Sequence, residues 1–75
     1  MMEARYTGTM THWDEQDGFG EITMQGHAPL VVYRNQFPAV GISQPVVGMR
    51  FDFSIGVHAN GQTGAVNLSR PGVPR

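Results

Sequence analysis

The 75-residue chain contains no cysteine and no lysine. Without cysteine, neither a disulfide framework nor a thiolate metal cluster can hold the fold together. The positive charge comes from five arginines, which six acidic residues outnumber to give a net charge of −1. Nucleic-acid binders normally carry a basic excess, because phosphate contacts supply much of their salt-dependent affinity. The composition therefore argues against strong non-specific binding to nucleic acid and allows at most a local arginine cluster.

Long apolar runs are absent as well. None approaches the ~18 residues of a membrane-spanning helix, and the N-terminal stretch MMEARYTGT lacks the basic and apolar blocks of a signal peptide. We therefore expect a cytoplasmic protein without membrane association. The length predicts one small domain, which buries only about 60% of the surface of its unfolded chain. A closed β-barrel is one way for so small a domain to stay folded without disulfides.

Alternating apolar and polar residues predict five β-strands and no long helix. The fourth segment has the clearest pattern, because its odd-numbered residues from Met49 to Val57 are all apolar, and these are predicted to face the interior. Asn60-Gly61, between the last two segments, is a strong hairpin signal. The predicted strands span residues 5–13, 18–24, 29–35, 49–57 and 63–69.

Ten glycines and five prolines indicate many turns between these strands. The connection 36–48 holds two of each and is predicted to be an irregular loop with a short helical turn. Residues 70–75 are predicted to form a flexible tail after a single domain spanning residues 1–69. Three strands, a long connection and a terminal hairpin suit an all-β fold, namely a five-stranded antiparallel Greek-key barrel of the OB type.

Five short motifs follow one another from about Tyr6 to Ser69, namely GTMTHWD (8–14), DGFGEI (17–22), LVVYR (30–34), VGMRFDF (47–53) and GQTGAVNL (61–68). In their order and separations they resemble those of the cold-shock domain family. The second resembles the ribonucleoprotein-type motif Lys-Gly-Phe-Gly-Phe-Ile, and the third resembles Val-Phe-Val-His-Phe. The resemblance implies an OB-fold that binds single-stranded RNA or DNA on the outer face of strands one to three, as an RNA chaperone does.

Carried over position by position, the resemblance implies a nucleic-acid-binding site made of His12, Trp13, Phe19, Tyr33 and Arg34. His12 stands where the family has an exposed Trp, and Trp13 stands where a Phe follows it. Phe19 keeps the ring of the Gly-Phe-Gly motif, while Tyr33 and Arg34 replace a His and a Phe. Rings stack on bases for about 1–3 kcal/mol each, and a guanidinium group can stack on a base or pair with phosphate.

The chain departs from the family pattern at several of these positions. Glu21 replaces the second ring of the first motif, Val31 replaces the leading Phe of the second, and Asp17 replaces a Lys. Because carboxylates repel phosphates, we expect weak binding, micromolar or poorer, that is lost with added salt. The candidate phosphate ligands are Arg5, Arg34 and Arg50.

The sequence supports two functions. The first is weak, cold-shock-like binding of single-stranded nucleic acid, which Tyr33 and Arg34 favour because both can contact bases. The second is a degenerate barrel that serves as a protein-interaction module without nucleic-acid binding, which Glu21, Val31 and the lack of lysine favour. Trp13 and Tyr33 are also compatible with partly buried positions in a small barrel.

Catalysis is not expected, because neither a Ser-His-Asp order nor a paired-carboxylate spacing is present and so small a barrel has little room for a cleft. His12, His27 and His58 lie on separate segments and predict no metal site. We accordingly expect a monomer that requires no cofactor.

Overall fold

The computed structural model describes residues 4–71. All five predicted strands are present, with ends within two residues of the predicted ones. The irregular connection contains two short 3-10 helices, Arg34–Gln36 and Pro38–Val40, of which the first begins inside the third predicted strand. Among residues 4–71, no helix has the length and apolar character to cross a membrane. The strands are β1 (Tyr6–Asp14), β2 (Phe19–Thr23), β3 (Leu30–Tyr33), β4 (Arg50–Val57) and β5 (Thr63–Ser69).

The five strands form one closed ring in the order β1-β2-β3-β5-β4. Neighbouring strands are antiparallel except β3 and β5, which are parallel and pair through Val31 and Gly64. The prediction of a fully antiparallel sheet is therefore wrong. The reason is one of parity, because antiparallel neighbours alternate in direction and an odd number of strands cannot alternate all the way round a ring.

The interior of the ring is filled by apolar side chains from every strand and from the long connection. Phe37 lies between the two 3-10 helices. Its ring centre is 5.6 Å from that of Phe51 and 5.4 Å from that of Trp13, which it meets edge to face. The loop thus supplies a central core residue, which compensates for the few residues of a small domain. The buried core consists of Met10, Ile22, Leu30, Val32, Phe37, Ile42, Phe51, Phe53 and Ala65.

The predicted inward alternation of the fourth strand holds up to its last residue. Phe51 and Phe53 are fully buried and Ile55 packs against the core. In contrast, Val57, which ends β4 and is predicted to face inward, is 68% exposed. Ser54 is buried as well, and its hydroxyl donates to the Ala4 carbonyl oxygen at 3.1 Å and accepts from Arg5 at 3.2 Å. The pairing of β4 with β5 shifts register beside Ser54, but the additional residue lies on β5, so the alternation of β4 itself is kept.

The predicted hairpin at Asn60-Gly61 joins β4 to β5. Gly61 has a φ of 90°, which is in the left-handed region that favours glycine, and its N–H donates to the His58 carbonyl oxygen at 2.9 Å. Of the predicted tail, residues 72–75 lie outside the described part of the chain. Arg70 donates from its guanidinium group to the carbonyl oxygens of Val40 and Gly41, at 3.2 and 3.4 Å.

Candidate nucleic-acid interface

The outer face of β2 and β3 carries two rings side by side. Phe19 and Glu21 of β2 alternate with residues buried in the core, as do Val31 and Tyr33 of β3. Phe19 pairs with Tyr33 across the two strands, and Glu21 pairs with Val31. Paired side chains on neighbouring strands lie about 5 Å apart, so both rings share one surface.

His12 joins this surface because β1 is irregular at that point. The pairing of β1 with β2 shifts register between Met10 and His12, so that His12 lies opposite Glu21. The imidazole is exposed, and its centre lies 6.2 Å from the centre of the Phe19 ring at a tilt of 53°. We call the outer surface formed by His12, Phe19, Glu21, Val31 and Tyr33 the ring face.

Trp13 lies on the opposite side of β1 from His12. It pairs with Gly20, is half-buried, and packs edge-on against the buried Phe37 at an angle of 85°. A Cβ on residue 20 would lie only 2.8 Å from Trp13 Cε3, so glycine is needed there to admit the indole. Trp13 therefore belongs to the edge of the core, as the partly buried alternative predicts, and its indole N–H donates to Glu15 Oε1 at 2.9 Å.

Arg34 lies at the edge of the ring face. Its backbone N–H donates to the Gly18 carbonyl oxygen at 2.9 Å, which places its side chain beside the β1–β2 turn. The guanidinium group donates to Glu15 Oε2 at 3.1 Å and to the Glu15 carbonyl oxygen. Its central carbon lies 6.0 Å from the centre of the Trp13 ring, within cation–π range. The charge of Arg34 is thus partly compensated within the chain.

The other two candidate phosphate ligands lie away from the ring face or already have partners. Arg5 donates to Ser54 Oγ at 3.2 Å, to the Asn67 carbonyl oxygen at 2.6 Å and to Ser69 Oγ at 2.7 Å, so it ties the start of β1 to β4 and β5. Arg50 is exposed on β4, which is not a neighbour of β2 or β3 in the ring. Of these three arginines, Arg34 is therefore the one placed to meet a phosphate beside these rings.

Tyr33 is held in place by the hairpin between β4 and β5. Its hydroxyl donates to Gln62 Oε1 and accepts from Asn60 Nδ2 at 2.7 Å. The His58 ring stands at 89° to the Tyr33 ring, with centres 4.9 Å apart. No sequence pattern indicated these hairpin residues, because they approach β3 only when the sheet closes between β3 and β5. The Asn60-Gly61 turn indicated the hairpin but not what it packs against.

The carboxylate of Glu15 accepts hydrogen bonds from three side chains at the edge of the ring face. The hydrogen bond from Trp13 is the main cause that lowers the pKa of Glu15 below its ordinary value. A hydrogen bond from Gln44 Nε2 at 2.7 Å and the charge of Arg34 lower the pKa of Glu15 further. These contacts stabilise the ionised carboxylate, since each of them favours the charged form.

The contacts of Glu15 predict an acid-sensitive change around Trp13. A lowered pKa means that the stabilisation from ionised Glu15 is fully present above the unfolded-state pKa and is lost as the pH falls through the folded value. An NMR titration should therefore give a Glu15 carboxyl midpoint below that of an ordinary glutamate, with the Trp13 indole signal moving at the same midpoint. In Trp13→Phe the Glu15 midpoint should rise toward the ordinary value; an unchanged midpoint would show that the indole does not set it.

No group of three or more His, Cys, Asp or Glu residues within 4–71 is arranged to hold a metal ion. Comparisons with known proteins found no matching family model, no matching curated protein and no matching solved structure.

Proposed function

We propose that the chain is a cold-shock-like domain of the OB type that binds single-stranded RNA or DNA on the outer face of β1 to β3. The observation that carries the proposal is the pairing of Phe19 with Tyr33 on adjacent strands, with His12 6.2 Å from Phe19. Flat rings in one row accept successive bases by stacking, which depends little on base identity because every base has a π face.

Electrostatics makes this binding weak. Glu21 lies in the middle of the ring face, opposite His12 and Val31, where a bound strand would pass. Arg34 offers one phosphate contact, and it must share its charge with Glu15. One phosphate contact on a single strand corresponds to a slope of about −0.7 for log K against log salt concentration. Stacking therefore supplies most of the affinity, and we expect micromolar or weaker binding.

A protein-interaction module is the second candidate. It is favoured by Val46 and Val47, adjacent apolar residues in the connection before β4 that are 55% and 56% exposed. Apolar side chains exposed next to each other can contribute to a protein interface.

An NMR titration with oligo-dT and oligo-U of about seven nucleotides, a length within the site size of OB-type domains, tests the first candidate at low salt. We expect the shifted signals to cluster at residues 12, 19–21 and 31–34. No shift at millimolar oligonucleotide would overturn nucleic-acid binding and favour the protein-interaction module.

Phe19→Ala should weaken oligonucleotide binding by about 1–3 kcal/mol, or roughly 5- to 150-fold in Kd, because it removes one stacking ring. Tyr6→Ala is the matched control, because Tyr6 is an exposed ring at the far end of β1 that pairs with β4. Its Kd should stay near that of the unchanged protein. Equal losses in the two variants would mean that Phe19 does not stack on a base.

A further inference from the structure

A shallow depression of about 220 Å³ lies beside Tyr33, where β3 meets the β4–β5 hairpin. It adjoins the ring face, because Tyr33 belongs to both. We call this depression the Tyr33 pocket. It is lined by Tyr33, Asn35, His58, Ala59 and Asn60.

The walls of the Tyr33 pocket are fixed before any ligand arrives. His58 Nε2 lies 3.0 Å from the Val31 carbonyl oxygen, and Asn60 Oδ1 accepts from the Gln62 N–H at 3.0 Å. The Tyr33 hydroxyl is held between the side chains of Asn60 and Gln62. Side chains that are already ordered lose little conformational entropy on binding, so the pocket is preorganised for a flat, polar ligand.

Asn35 is the exception among the polar residues of the pocket. It lies in the first 3-10 helix and is exposed, and its side chain forms no hydrogen bond to any residue within 4–71. Its side-chain amide therefore presents a donor and an acceptor in one plane next to the Tyr33 ring. This pair matches the N7 acceptor and the N6 amino donor of adenine, whereas guanine presents two acceptors on the same edge.

We propose that the Tyr33 pocket is a subsite for one adenine base of the bound strand, which contacts the Tyr33 ring and is hydrogen-bonded by Asn35. The inference rests on the proposed binding of single strands and adds a base preference to it. The remainder of the ring face, with Phe19 and His12, has no comparable free amide and accepts any base.

The test compares oligo-dT of about seven nucleotides with the same strand carrying one central adenine. The adenine strand should bind about tenfold more tightly, in the range of one bidentate contact to a base. It should also shift the Asn35 side-chain amide signals, which oligo-dT leaves in place. In Asn35→Ala the ratio of the two Kd values should fall to about one. Gln25→Ala is the matched control, because it removes an exposed amide from the turn that joins β2 to β3, at the other end of these strands. In this variant the ratio should be unchanged.

Failure of the pocket and failure of single-strand binding give different results. Equal affinity for the two strands, or an adenine preference that persists in Asn35→Ala, overturns the pocket and leaves the ring face as a general binder. If neither strand binds, the proposed function fails, and a titration with 5′-AMP and 5′-UMP decides the pocket separately. Shifts of Asn35 and His58 with 5′-AMP but not with 5′-UMP support it, and no shift at millimolar 5′-AMP overturns it.

Discussion

Gly64→Ala is expected to lower the free energy of unfolding by about 3 kcal/mol, a large part of the stability of so small a domain. A Cβ on residue 64 would lie 2.7 Å from His58 Nε2 and 2.8 Å from Val31 Cγ1. It would come closer still to the Val31 carbonyl oxygen, well inside the 3.0 Å that real Cβ contacts essentially never go below. Because this oxygen belongs to the backbone of β3, the two strands must separate where the ring closes.

Urea unfolding followed by Trp13 fluorescence measures this loss, with Gly56→Ala as the matched control. Gly56 pairs with Gly64 across β4 and β5, and a Cβ there would meet a side-chain methyl of Val66 at 2.8 Å. Val66 is half-buried and can rotate, so we expect a loss below about 1 kcal/mol. If the two variants lose the same stability, close approach of β3 and β5 is not the reason for glycine at position 64.

Glu21→Lys should strengthen binding of oligo-dT by about tenfold or more at low salt. The change removes a carboxylate from the middle of the ring face and places a cation between His12 and Val31, the two cross-strand partners of Glu21. One additional phosphate contact should make the slope of log K against log salt concentration more negative by about 0.7. Fluorescence or NMR titrations at a series of salt concentrations give both quantities.

Asp52→Lys is the matched control, because it makes the same change in charge on β4. In the closed sheet β4 is not a neighbour of β2 or β3. It removes a hydrogen bond from Thr7 Oγ1 to the carboxylate, at 2.6 Å on the surface, so the folded state should first be checked by circular dichroism. We expect the salt slope of Asp52→Lys to stay close to that of the unchanged protein. An equal gain in the two variants would show that net charge, rather than the ring face, governs the affinity.

The strands could be predicted from the sequence because the alternation of apolar and polar residues is a local signal. The parallel pairing of β3 with β5 is not visible in either segment, because it depends on the number of strands in the closed sheet. The same limit applies to the end of β4, where Val57 is exposed although its sequence position continues the apolar pattern.

The candidate site was predictable in part. Phe19 and Tyr33 lie on one surface, as the motifs imply, because period-two alternation places them on the outer side, whereas His12 reaches that surface through the register shift in β1. The different positions of His12, which is exposed, and Trp13, which is half-buried, depend on the register shift in β1 and on the space left by Gly20. The pairing of Arg34 with Glu15 joins residues 19 positions apart, and no local pattern reports such contacts.

The junction of β3 and β5 is held by side chains as well as by the backbone. The Gln36 amide donates to a β5 carbonyl oxygen at 2.9 Å, and His58 and Tyr33 connect β3 to the hairpin. Tyr33 and His58 also line the pocket where we propose a base, so opening the junction would take the pocket apart and release the base. A ligand at a hundred times its Kd adds about 2.7 kcal/mol to the cost of such an opening. Hydrogen exchange of the β5 amides should accordingly slow as more of the protein binds its ligand. The exchange rate at this junction would then report the bound fraction of the protein.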